Sequence, residues 1–195
     1  MKLVLGLGVT GFSIARYLTT QRVEFKVADS RENPALLNNF KSEFSEVKVI
    51  LGDWQQDLLT DIDEIFISPG IAQNETIISW ARDLNIEITS DIELFSRAAK
   101  APIVGITGTN GKSTVTQLLG EMVSENGKRV AIGGNIGKPA LDCLDDDIEF
   151  YILELSSYQL DYSKKLNLLT GVVLNITPDH LDRYDNFEHY ASSKL

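Results

Sequence analysis

The chain has 195 residues, enough for one large domain or two small ones. Its 43% hydrophobic and 24% charged content is that of a globular protein, which excludes disorder, collagen and coiled coil as overall descriptions. Its 28 acidic and 18 basic side chains leave a net charge of −10, so no nucleic acid and no membrane is expected as a principal partner. A small phosphorylated ligand stays open, because a few backbone amides and one Lys outweigh a distant net charge.

Residues 2–15, KLVLGLGVTGFSIA, place an apolar run after a Lys, as a signal peptide does. Gly6, Gly8 and Gly11 interrupt the run with a spacing that suits a turn, so a cytoplasmic protein is expected. Leu3 to Leu5 reads as a short buried strand, Phe12 to Thr20 as a helix and Phe25 to Ala28 as a second strand. Val47 to Leu51, Ile65 to Ile67 and Ile86 to Ile88 are further strands, with helices over Glu75 to Leu84 and Ile92 to Ala99. The pattern restarts after Ala101-Pro102. A strand at Ile103 to Ile106 leads into a Gly-rich loop and a helix from Ser113 to about Asn126, stopped by Gly127. Arg129 to Ile132, Phe150 to Leu155 and Gly171 to Asn175 read as strands, and Phe187 to Leu195 as the start of a helix. Alternating strands and helices imply crossover connections and parallel sheets. The expected fold is α/β: a Rossmann-like domain over 1–99, then an incomplete phosphate-loop ATP-binding domain over 100–195. Because the sequence stops inside a helical pattern, a fragment of a longer protein is expected. Cys143 is the single cysteine and His180 and His189 are the only histidines, which rules out an intrachain disulfide, a thiolate metal site and a histidine-rich zinc site.

Two glycine loops carry chemistry. Gly6-x-Gly8-x-x-Gly11 follows a strand and opens a helix, as a dinucleotide fingerprint requires. Gly6 permits the tight turn, Gly8 the approach of a phosphate, and Gly11 the close packing of helix on sheet, while Thr10 adds a hydroxyl to the loop. Asp29, at the end of the second strand, is placed either to bind a ribose hydroxyl or to cap a helix. The second loop is Gly108-Thr109-Asn110-Gly111-Lys112-Ser113-Thr114. The strict phosphate-loop template asks for Gly at position 106, where this chain has Ile. What remains still aims amides at phosphate oxygens, with Lys112 to reach the β and γ phosphates and Ser113 to ligate Mg2+. Glu154 ends an apolar strand and is placed either to hold Mg2+ or to face solvent. His180, in the loop Asn175 to Arg183, is a metal ligand, an anion contact or a helix cap. Composition alone makes Lys194 a surface lysine.

Taken together, GLGVTGFS (6–13), ADSR (28–31), SPGIA (68–72), SDIELF (90–95) and GITGTNGKST (105–114) resemble the Mur ligases. GGNIGKPAL (133–141), LELSSYQL (153–160), NITPDHLDRY (175–184) and YASSKL (190–195) extend that resemblance over the whole chain. It implies an ATP-dependent amide ligase of peptidoglycan precursor synthesis, of the branch that adds D-glutamate to UDP-N-acetylmuramoyl-L-alanine. It also implies that the first domain holds a UDP-sugar. Gly8, Val9 and Thr10 would lie near its diphosphate and Asp29, Ser30 and Arg31 around uracil, with Ser68, Asn135, Ser156, Gln159 and His180 along the substrate. ATP would sit on Gly108, Thr109, Asn110, Gly111, Lys112, Ser113 and Thr114. Mg2+ would be near Ser113, Glu154 and His180, with Lys194 contributing if carbamylated. Lys112, His180 and Lys194 are the implied catalytic set. The substrate carboxylate would take the γ-phosphoryl group to give an acyl phosphate, which the amine of D-glutamate then attacks. Family members are longer, with most of the D-glutamate site in a further domain, so these residues alone are expected to bind and not to turn over, and the full-length protein is expected to be a monomer. The alternatives are a folylpolyglutamate-synthase-like ligase, a non-catalytic UDP-sugar-binding fragment and an NAD-dependent oxidoreductase using Gly6 to Asp29.

Overall fold

A computed structural model describes residues 1–195, which divide into two compact units, Met1–Asp91 and Ile92–Leu195. The first unit carries strands β1 (Lys2–Leu5), β2 (Phe25–Asp29), β3 (Val49–Leu51), β4 (Glu64–Ile67) and β5 (Glu87–Ser90). They form one parallel sheet in the order β3-β2-β1-β4-β5. Helices α1 (Val9–Thr20), α2 (Leu37–Glu43) and α3 (Thr76–Asp83) provide the crossovers. Parallel strands covered on both faces read as continuous apolar runs, and Leu3, Val4, Leu5, Ile65, Phe66 and Ile67 are all buried. From β1 the chain winds outward through β2 to β3, then returns to the other side of β1 as β4. The C-terminal ends of β1 and β4 therefore flank a topological switch point, where open α/β sheets bind ligands.

α1 begins at Val9, three residues earlier than the expected Phe12, so Thr10 belongs to its first turn and not to the loop. α2 was not expected. Its stretch LNNFKSE holds two Asn, which favour turns over helix interiors, and only Phe40 is buried. Phe40 meets Phe12 edge-on at 5.5 Å between ring centroids and Phe44 at 4.8 Å, so tertiary packing fixes this helix.

In the second unit β6 (Ile103–Thr107), β7 (Val130–Gly134), β8 (Phe150–Glu154) and β9 (Thr170–Val173) form a parallel sheet in the order β7-β8-β6-β9. Helix α5 (Lys112–Glu125) links β6 to β7, and Gly127, at φ +76°, follows its end. Two short helices complete the unit, α6 (Ser157–Leu160), which the sequence reading missed, and α7 (Phe187–Ser192). α4 (Asp91–Ala98) was read as the end of the first domain, yet it packs with the second unit. Phe95 meets Tyr151 edge-on at 5.0 Å, Glu93 accepts from the Lys164 amide, and Ser96 Oγ accepts from the Asn167 amide. No helix is long and apolar enough to cross a membrane.

Candidate functional site

The first unit opens a cavity of about 410 Å³ at its switch point. Its walls include Gly6, Gly8, Val9 and Thr10 from the first loop and helix, Asp29, Ser30 and Arg31 after β2, and Ser68 to Ile71 after β4. All six residues that the resemblance placed around the diphosphate and uracil, together with Ser68, thus border one space. Trp54 and Glu75 also line it and were not foreseen.

Hydrogen bonds fix the loop before any ligand arrives. Asp29 is 3% exposed; its Oδ2 accepts from the Leu7 amide at 2.7 Å, and its Oδ1 accepts from the Arg31 amide and Nε at 2.9 and 2.8 Å. Burial pushes the Asp29 carboxyl up, but the bonds from Arg31 and Leu7 outweigh it and hold the group below the usual carboxylate range. Asp29 is thus an ionised brace that tethers the Arg31 guanidinium at the cavity edge. Ser68 Oγ donates to the Gly6 carbonyl at 3.0 Å, and Gly6 sits at φ +92°, a conformation that favours glycine. Gly8 differs: φ is −105° and a Cβ there would meet nothing within 4 Å. Its absent side chain leaves room above the first amides of α1, whose unpaired N–H groups suit an anion.

The second site lies at the C-terminal edge of the second sheet, where Gly108 to Ser113 leave β6, Asn135 follows β7 and Glu154 ends β8. Gly108 has φ +144°, and a Cβ on it would lie 3.1 Å from the Asn175 carbonyl oxygen. Gly111, at φ +83°, caps α5. Lys112 Nζ donates to the carbonyls of Gly108 and Thr109 at 2.9 and 2.8 Å, so the cation curls over its own loop. The Asn110 amide donates to Asn175 Oδ1, and Thr109 Oγ1 lies 2.9 Å from the Tyr190 hydroxyl. Thr114 follows in the first turn of α5.

Glu154 is 2% exposed, so the solvent-facing alternative does not hold. Its Oε2 accepts from Ser113 Oγ at 2.7 Å and its Oε1 from Asn135 Nδ2 at 2.7 Å. A hydroxyl beside a buried carboxylate is a hard oxygen donor set that fits Mg2+, which takes one or two protein carboxylates and fills its remaining positions with water and phosphate. No group of three His, Cys, Asp or Glu converges anywhere, so a cage built from protein alone is not formed. His180 shares no hydrogen bond with Glu154. Its backbone lies at φ +53° and its ring packs against Tyr158 at 4.9 Å and Tyr190 at 6.2 Å. Ser156 and Gln159 form a reciprocal capping box at the start of α6, so both have a local structural partner.

Lys194 is 6% exposed, contrary to the surface lysine that composition suggested. Its Nζ lies 3.4 Å from Thr107 Oγ1 and 4.9 Å from the centroid of Tyr190. Burial, helped by the Lys112 charge, pushes its amine down to about 8 from the ordinary 10.5. Between those two values the unfolded chain binds more protons than the folded one, so this group makes stability rise with pH from about 8 to 10.5. Below pH 8 its penalty is constant, on the order of 3 kcal/mol at most by the shift. Lys194→Met should therefore be more stable than the parent below pH 8, with the difference shrinking towards pH 10.5. Urea denaturation of both chains across that range checks this; parallel curves contradict it.

Residues 1–90 match the family described as Mur ligase MurD-like, N-terminal domain, and residues 106–195 match the Mur ligase middle domain. The chain is 47% identical over 193 residues to UDP-N-acetylmuramoylalanine--D-glutamate ligase of Pseudomonas syringae pv. syringae, covering 99% of this chain and 43% of that relative. The chain thus spans less than half the length of the curated relatives it matches. In fold it is similar to UDP-N-acetylmuramate:L-alanyl-gamma-D-glutamyl-meso-diaminopimelate ligase from Neisseria meningitides, with TM-score 0.60 and 15% identity over 98% of this chain and 65% of that one. It is likewise similar to UDP-N-acetylmuramate-alanine ligase from Thermotoga maritima, with TM-score 0.54 and 19% identity over 98% of this chain and 45% of that one. Both units match domains of one family, and the whole chain is 47% identical to one of its members, which leads to one assignment: the chain belongs to the Mur ligase family.

Proposed function

We propose that this chain supplies the UDP-sugar site and the ATP phosphate site of a ligase that joins D-glutamate to UDP-N-acetylmuramoyl-L-alanine, as the name of its 47% identical relative describes. The observation that carries the reading is the Ser113–Glu154–Asn135 network beside Lys112, a cation and a hard oxygen pair at the edge of one parallel sheet. In this reading the first cavity holds the uridine diphosphate. The amides at Gly8 to Thr10 take the phosphates, and Asp29, Ser30 and Arg31 take the base. Ser68, Asn135, Ser156, Gln159 and His180 serve the sugar and its peptide.

The loop Gly108 to Thr114 cradles the triphosphate, and Lys112 turns from its own loop carbonyls to the β and γ phosphates. Glu154 and Ser113 would hold Mg2+, with His180 and a carbamylated Lys194 contributing to metal binding. Mg2+, when bound, neutralises phosphate charge and so eases the meeting of two anions. An oxygen of the alanine carboxylate attacks the γ-phosphorus and ADP leaves. The amine of D-glutamate then attacks the acyl carbon, gives up its proton, and inorganic phosphate leaves. Lys112 and the loop amides stabilise the charge on the transferring group. Lys194 suits carbamylation because its depressed pKa leaves part of the amine neutral and nucleophilic near neutral pH.

Calorimetric titration of the 195-residue chain tests the reading. It should bind UDP-N-acetylmuramoyl-L-alanine and, separately, Mg·ATP, and release no ADP on addition of D-glutamate. Absence of both binding events contradicts the reading. ADP release that depends on both substrates contradicts the assignment of binding without turnover.

A further inference from the structure

The cavity of the first unit has one aromatic wall residue, Trp54. It sits in the segment after β3, on a turn made by Gly52 at φ +93°, whose amide donates to the Asp29 carbonyl at 3.0 Å. That bond pins the turn to the end of β2 and brings the indole to the cavity. The side chain is only half-buried, an unusual place for the largest apolar surface a residue can offer. Its one polar atom, Nε1, donates to Glu75 Oε2 at 3.1 Å. Glu75 occupies the N-cap position of α3 yet makes no capping bond with its side chain. Ser, Thr, Asp and Asn are the residues that cap well there. An aromatic left out of the core and an acid withdrawn from a helix cap are thus bonded to each other at the rim of the same cavity.

We infer that Trp54 is the stacking platform for the nucleotide base in this cavity and that Glu75 is the positioning residue that holds the indole there. The inference rests on the nucleotide reading above and names the residue that reads the base. With Nε1 taken by Glu75, Trp54 offers only its π faces, which suit a flat heteroaromatic ring. Stacking of a base on an aromatic side chain is worth about ten-fold or more in affinity by truncation. Anion contacts at Gly8 to Thr10 fix the other end of the same ligand and are independent of the indole.

Calorimetry with UDP and with inorganic pyrophosphate on the full chain tests this, with a circular-dichroism melt to establish folding of each variant. Trp54→Ala should weaken UDP about ten-fold or more and leave pyrophosphate unchanged, whereas Trp54→Phe should lose less. Glu75→Ala should weaken UDP, and Glu75→Gln, which keeps an acceptor oxygen for the indole N–H, should restore it. Trp80 is the other tryptophan, so Trp80→Phe isolates the Trp54 emission, which UDP should quench. Unchanged UDP affinity in Trp54→Ala, or equal losses of UDP and pyrophosphate, overturns the inference while nucleotide binding stands. Failure of the parent chain to bind UDP overturns the nucleotide reading and the inference with it.

Discussion

Gly11→Ala should leave the first unit unable to reach its native structure, while Gly8→Ala, three residues away in the same motif, should fold as the parent does. A Cβ on Gly11 would lie 1.8 Å from the Gly6 carbonyl oxygen, far inside any real contact. Alanine is the better helix former by about 1 kcal/mol, so helix propensity alone predicts a gain. Overpacking costs about 1–3 kcal/mol even where side chains can yield, and here the obstacle is backbone. The Gly6 turn cannot retreat, because its amide donates to the Ala28 carbonyl and Ser68 Oγ donates to its own carbonyl. The clash therefore wins, and a loss above about 4 kcal/mol approaches the lower end of a domain's usual margin of about 5–15 kcal/mol. At Gly8 no atom lies within 4 Å of the added methyl, so its cost should fall on the anion. Urea denaturation and an amide NMR spectrum check the pair. A folded Gly11→Ala with unchanged midpoint contradicts the packing, and unchanged UDP affinity in Gly8→Ala contradicts the phosphate role.

Lys112→Ala should weaken Mg·ATP by about ten- to a hundred-fold, the range expected for losing a hydrogen bond to a charged group. Nothing else in the loop replaces it, since the remaining contacts there are amides and hydroxyls. The same side chain spans the Gly108 and Thr109 carbonyls, so its loss also frees the loop it folds over. Lys112→Arg keeps the charge but not the compact ammonium, and should recover only part of the affinity. Calorimetry in Mg2+ reads the effect; equal affinity in Lys112→Ala removes the loop from the triphosphate site.

The two glycine loops were legible because strand, glycine spacing and helix coincide in each, and each lies at the C-terminal end of a parallel strand. What escaped depends on contacts distant in sequence. α2 exists because Phe40 meets Phe12, which no local pattern of LNNFKSE announces. α1 starts among glycines that the sequence presents as breakers. Trp54 and Glu75 are 21 residues apart and meet only through the fold, although an isolated Trp in a Gly-Asp-Trp turn is a signal that a search for exposed aromatics would find. The Ser-Ser-Lys of residues 192–194 looks like surface, yet Lys194 is buried beside Thr107 and Tyr190. α4 follows a strand of the first sheet directly, and its alliance with the second unit rests on Tyr151 and the 164–167 segment.

A competitive titration of the chain with UDP-N-acetylmuramoyl-L-alanine and NADH is the most direct test of what the first glycine loop holds. The sugar nucleotide should bind, be displaced by UDP and ignore NADH. Tight NADH binding that the sugar nucleotide fails to displace would contradict the account.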